Sequence, residues 1–144
     1  MFLLSPSVPG SIAMSKANRK GRDKYPSRFS RLDHWVFKSE AYRALSLKAR
    51  CLYTELLLFY NGSNNGSIYM SVRHAAKRLN VTKDTASKAF RELEEKGFIK
   101  VSEKSSFDYK KGKATSWILT EHSVLGRTAT KEFARWKQKA GPKN

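Results

Sequence analysis

The sequence holds a single cysteine, Cys51, in 144 residues. An internal disulfide is therefore excluded, as is any metal site built on several thiolates. Cys51 lies within an apolar helical run, so a buried, inert thiol is expected, and such usage suits a reducing cytoplasm. Histidine is scarce too: His34, His74 and His122 stand far apart, with no spacing that suggests a metal site or a triad. No serine or threonine sits in a nucleophile-elbow pattern. No enzymatic activity, cofactor or metal is expected from such a chain, and no small-molecule ligand. Long apolar runs are also missing. Met1 to Met14 is weakly apolar, is broken by Pro6 and Pro9, lacks a basic leader, and is too short to span a bilayer. No membrane partner is expected.

Negative charge is the other shortage. Asp and Glu number 12 against 29 Lys and Arg, a formal net charge of +17. An excess of this size argues for a polyanionic partner, most simply nucleic acid, and is silent about fold. The ends are the most basic part. Met1 to Val36 carries 7 basic and 2 acidic residues, and Arg127 to Asn144 carries 6 and 1. Residues 1–28 read as a basic arm in which Arg19, Lys20 and Arg22 cluster among Gly and Pro. Such an arm can follow a minor groove or phosphates, or simply solubilise.

What the chain does have is a sharply punctuated middle. Ser71 can cap a helix whose apolar stripe is Val72, Ala75, Ala76 and Leu79. Asn80 tolerates the left-handed conformation that ends it, and Thr82 caps a second helix almost at once. That helix has Ala86, Ala89, Phe90 and Leu93 as its stripe and Gly97 as its stop. The connection is too tight for the helices to lie side by side, so they must cross, with Val81 buried at the elbow. The pattern is a helix-turn-helix. Before it, Phe29 to Phe37 reads as a docking strand or turn and Ser39 to Leu45 as a helical turn. Ser46 caps a long apolar helix to about Tyr60, which suits a core helix or half of a dimer interface. Asn61 to Gly66 is turn chemistry, and Ser67 to Met70 is β-prone. After it, Phe98 to Ser102 alternates, with Ile99 and Val101 inward. Ala114 to Thr120 is the matching strand, with Trp117 and Leu119 on one face. Between them Lys104, Lys110, Lys111 and Lys113 surround Phe107 and Tyr109 at a hairpin tip. Thr128 can cap a last helix through Lys139, with Phe133 and Trp136 on its apolar edge.

From Asn80 to Ile99, with the strand pair that follows, the chain resembles the winged helix-turn-helix DNA-binding domains of bacteria, phages and plasmids. Its flanks resemble a group of short basic proteins of that kind. The resemblance implies a mainly α fold with a small β-hairpin, a three-helix core plus wing spanning residues 29–120, and a basic C-terminal helix and tail over 121–144. It also implies a recognition helix that enters the major groove of double-stranded DNA by its N-terminal half. The candidate contacts are Lys83, Asp84, Thr85, Ser87, Lys88 and Arg91 on that helix and Ser71, Arg73 and Thr82 at the helix starts. The lysines 104, 110, 111 and 113 of the hairpin and Arg19, Lys20 and Arg22 of the arm complete the set. Glu92, Glu94 and Glu95 read as a solvated helix end that keeps the rear of the helix off phosphates.

The expected function is sequence-specific DNA binding by a small transcriptional regulator, cytoplasmic and nucleoid-associated, with a homodimer possible. Two other readings stand beside it: a phage or plasmid replication or maintenance factor with the same fold, and a winged helix serving as a protein-interaction module. Translation is expected to start at Met14, which opens the polar run Met-Ser-Lys-Ala-Asn-Arg. Mass spectrometry of the native N-terminus checks this; a peptide containing Phe2 would contradict it.

Overall fold

A computed structural model describes residues 28–103 and 114–141. The chain forms α1 (His34–Lys38), α2 (Glu40–Ala44), α3 (Leu47–Phe59), β1 (Ile68–Tyr69), α4 (Val72–Leu79), α5 (Lys83–Glu95), β2 (Ile99–Glu103) and β3 (Ser116–Leu119). A 3-10 turn at Glu132–Arg135 follows. It is a mainly helical winged helix-turn-helix in which α3, α4 and α5 pack on a three-stranded antiparallel sheet of order β1-β3-β2.

Local chemistry sets the helix starts as read from the sequence. The side chains of Ser39, Ser46, Ser71 and Thr82 each accept from the amide three residues on, satisfying an orphan donor of the first turn. Asn80 ends α4 in the left-handed region at φ 54°, and Val81 at the elbow is half-buried rather than buried. One layer of core comes from α3 (Ala49, Leu52, Tyr53, Leu56, Leu57). A second comes from α4 and α5 (Ala75, Ala76, Ala86, Ala89, Phe90, Leu93), and the sheet closes it with Ile68, Phe98, Ile99, Trp117 and Leu119. Strand register follows the alternation: Trp117 faces Ile68 on one side and Val101 on the other, with an irregularity between Val101 and Glu103.

Buried polar groups fasten the loops to this core. Asn65, buried in the turn before β1, donates to the carbonyls of Leu119, His122 and Ser123 and accepts from the Leu119 amide at 2.7 Å. The Tyr53 hydroxyl donates to the buried Glu121 carboxylate at 2.7 Å. Burial, reinforced by the Glu121 charge, pushes the Tyr53 phenol well above its ordinary value.

Three expectations are corrected. The segment before α2 is not a strand: His34–Lys38 is one helical turn that buries Val36, while Phe29 is 85% exposed. Cys51 is exposed, because it points away from the α3 face that carries Leu52, Tyr53 and Leu56. The helix expected from Thr128 to Lys139 is only the 3-10 turn. There the Lys131 amide donates to the Thr120 carbonyl at 2.9 Å and Lys131 adopts a left-handed φ of 47°. That tertiary bond ties the segment to the end of β3, so the run cannot propagate as a helix. Phe133 is 1% exposed and stacks on Phe98 at 4.8 Å, so the core continues beyond Thr120.

Gly97 closes α5 at φ +81°, and a Cβ there would stand 2.9 Å from backbone atoms of Glu132 and Phe133. Both the conformation and the close approach demand glycine. Gly97→Ala is expected to cost at least about 1–3 kcal/mol and to lower the melting temperature by more than about 4 °C. Thermal unfolding followed by circular dichroism checks this.

Candidate nucleic-acid interface

The rotation of α5 about its own axis decides which side chains face out. Ala86, Ala89, Phe90 and Leu93 are buried. At 3.6 residues per turn, Asp84, Ser87, Lys88 and Arg91 then fall on the opposite face. Asp84, Lys88 and Arg91 are exposed and Ser87 is half-buried, with Lys83 exposed at the edge of this front. The Phe90 ring stacks on Trp117 at 4.7 Å and 10°, and the Trp117 indole N–H donates to the Met70 carbonyl at 3.0 Å. The helix is thus locked to the sheet through its rear face.

Charge is distributed to match. Asp33, Glu40, Glu55, Glu92 and Glu132 are paired with Arg31, Lys137, Arg78, Lys96 and Lys100 respectively. Glu121 is held by Tyr53. None of these pairs, which cover the described residues, involves Lys83, Lys88 or Arg91. The amide dipoles of α5 add partial positive charge at the same end. Glu94 and Glu95 lie exposed at the other end. The front of α5 therefore runs from cationic to anionic along its length.

The remaining candidates have definite positions. Ser71 and Thr82 serve as caps, with the Ser71 oxygen accepting from the His74 amide at 3.1 Å. Thr85 is half-buried, and its hydroxyl is bonded to that of Thr82 at 2.9 Å. Arg73 is exposed on the first turn of α4. The hairpin lysines 104, 110, 111 and 113 and the arm residues Arg19, Lys20 and Arg22 lie outside the described residues. His74 is exposed with its ring edge-on to Phe59, and His122 stacks on Tyr60 at 4.3 Å. Among the described residues no group of three or more His, Cys, Asp or Glu can hold a metal ion, and no helix is long and apolar enough to cross a membrane.

Two residues of this region were not legible beforehand. Glu92 is not a merely solvated acid like Glu94 and Glu95. Its two carboxylate oxygens accept from the Ser46 amide and the Ser46 hydroxyl, each at 2.7 Å, clamping α5 to the start of α3. Lys48, on the first turn of α3, shares a shallow groove with Thr85, Lys88 and Glu92, so a second ammonium stands beside the front of α5. The sequence signal for both was faint: Ser46 and Glu92 are 46 residues apart, and only packing shows that they meet.

Residues 42–99 match the family model described as "Helix-turn-helix domain". No curated protein matches. Among solved structures, a chain titled "N-Terminal domain of DNA binding protein" aligns over 74% of this chain and 89% of its own. It is 21% identical, with a TM-score of 0.45.

If Glu92 is a clamp, Glu92→Ala should cost on the order of 1–2 kcal/mol, as loss of charge-assisted bonds at a half-exposed site does. Glu94→Ala, at an exposed position, should stay within about 0.5 kcal/mol of wild type. Urea unfolding of the two variants checks the contrast; equal effects would return Glu92 to the solvated set.

Proposed function

We propose that this helix-turn-helix protein binds double-stranded DNA, with the N-terminal half of α5 in the major groove, and acts as a small transcriptional regulator. The observation that supports this reading is the exposed front of Asp84, Ser87, Lys88 and Arg91, opposite the buried stripe and outside the ion pairs of the body. A helix fits the major groove, where each base pair presents its own set of donors and acceptors. Lys88, near the middle of the front, is placed for a guanine edge. Asp84 can accept from a cytosine amine, and Ser87 can bond a base or a phosphate. Arg91, one turn further on, grips the backbone, as does Lys83 at the flank. Contacts to phosphate position the protein and contacts to base edges give it a preferred sequence.

The acidic end supports a defined depth of entry. With Glu94 and Glu95 one turn beyond Arg91, deeper insertion of the C-terminal half brings carboxylates against phosphates. The hairpin lysines and the arm are assigned to phosphate and minor-groove contacts on their sequence alone.

Selection of bound duplexes from a random pool gives the target against which variants are measured. Lys88→Ala should weaken that target by about 1–3 kcal/mol and relax the preference at one position. Arg91→Ala should weaken target and scrambled duplex alike, and should flatten the slope of log affinity against log salt by about 0.9. Fluorescence anisotropy across a salt series separates the two effects. Unchanged binding in both variants would overturn the assignment.

A further inference from the structure

The outer face of α3 carries a second pattern that DNA binding does not use. Leu47, Cys51, Thr54 and Leu58 recur at steps of four, three and four residues, on the side opposite the buried Ala49, Leu52, Tyr53, Leu56 and Leu57. Leu47 is 76% and Leu58 57% exposed, and Cys51 and Thr54 are exposed between them. The Thr54 hydroxyl donates back to the Arg50 carbonyl at 3.1 Å, which satisfies its donor within the helix. The stripe therefore presents a leucine at each end and two small, weakly polar side chains in the middle. Steps of four and three residues are the spacing of a helix–helix seam.

We propose that a second copy of this chain covers this stripe, the two α3 helices packing antiparallel about a two-fold axis that passes midway between Cys51 and Thr54. In that register Leu47 of each copy meets Leu58 of the other, and Cys51 meets Thr54. The pattern is its own complement, as a two-fold interface requires. The flanking charges agree. Lys48 and Glu55 lie on one edge of the stripe, and reversal of direction sets Lys48 of one copy beside Glu55 of the other, whose Oε2 is held by Arg78 and whose second carboxylate oxygen is left to accept. A parallel pair would instead call on Arg50 to meet Glu55. Arg50 is already engaged: its guanidinium lies over the Tyr42 ring at 5.1 Å and donates to the Arg43 carbonyl at 2.9 Å.

A seam along one face of a thirteen-residue helix on each side is at the small end of specific interfaces, below about 1,200 Å². The dimer is therefore reversible and concentration-dependent. It leaves α5 open, because α5 packs against α3 from the core side. Two fronts in one dimer would read two half-sites; this consequence rests on the DNA reading, whereas the dimer itself does not.

The test uses two full-length single-cysteine proteins, the wild type and the Cys51→Ser/Thr54→Cys variant, oxidised separately and as a mixture. The antiparallel register predicts that the mixture yields the disulfide-linked dimer several-fold faster than either protein alone. Sedimentation velocity of the reduced wild type should show dimer rising with concentration, and Leu58→Glu should abolish it with the helical circular dichroism unchanged. Faster linkage of either protein alone would indicate a parallel pair and overturn the proposal. So would a monomer at every concentration with no cross-link in the mixture, which would leave the stripe to a different protein or to solvent.

Discussion

The stack of Phe90 on Trp117 is the contact from which the rest of the molecule follows. Two rings 4.7 Å apart and nearly parallel leave α5 no freedom to roll about its axis. The Trp117 indole is in turn held by its bond to the Met70 carbonyl, at the join between β1 and α4. One aromatic pair thus couples the second helix of the helix-turn-helix to the central strand of the sheet and to the entry of the first helix. A roll of one residue, 100°, would carry Lys88 into the buried place of Ala89 and Phe90 into the exposed place of Arg91. The identity of the outward face is a consequence of packing on the inward one.

The scaffold also decides where charge is left over. A chain of net charge +17 could coat itself uniformly and bind any polyanion without discrimination. Instead, five acidic side chains of the body lie against basic partners on α4, the end of α5, β2 and both flanks. Each such surface pair contributes little stability, on the order of 0–1 kcal/mol. The five cations they occupy all lie away from the front of α5. Glu92 differs from the others, because its carboxylate sits at the start of α3, where orphan amides and the helix dipole favour a negative group.

How much of this was legible beforehand depends on the range of the interaction. The caps at Ser46, Ser71 and Thr82, the left-handed Asn80 and the stop at Gly97 are decided within a few residues, and each stands where the sequence placed it. The apolar stripes of α4 and α5 follow from periodicity in the same way. Contacts that join distant segments carried no such signature. Tyr53 meets Glu121, and Asn65 meets Leu119, across more than 50 residues. The C-terminal segment failed for this reason: its capping residue and apolar pair favour a helix, yet one bond from Lys131 to Thr120 redirects it. Cys51 failed for a different reason. Six apolar residues from Leu52 to Phe59, with Cys51 beside them, make α3 look uniformly greasy, and only the angular positions of its largest side chains show which face the core takes.

The same angular argument links the two faces of the molecule. Helix α3 uses one side to carry α5 and presents its other side outward, with Lys48 at the boundary between the outer stripe and the front of α5. On the proposed DNA reading, the salt-dependent and sequence-dependent parts of binding fall on different atoms. There the flanking cation Lys83 bears on phosphates, whereas the short side chains at Asp84 and Ser87 approach base edges only if the helix enters deeply. Depth would be limited at the far end by Glu94 and Glu95 and encouraged at the near end by the dipole of α5. A helix charged alike along its length would slide along the groove. One that changes sign halfway has a preferred seat, and a preferred seat is the precondition for reading any sequence at all.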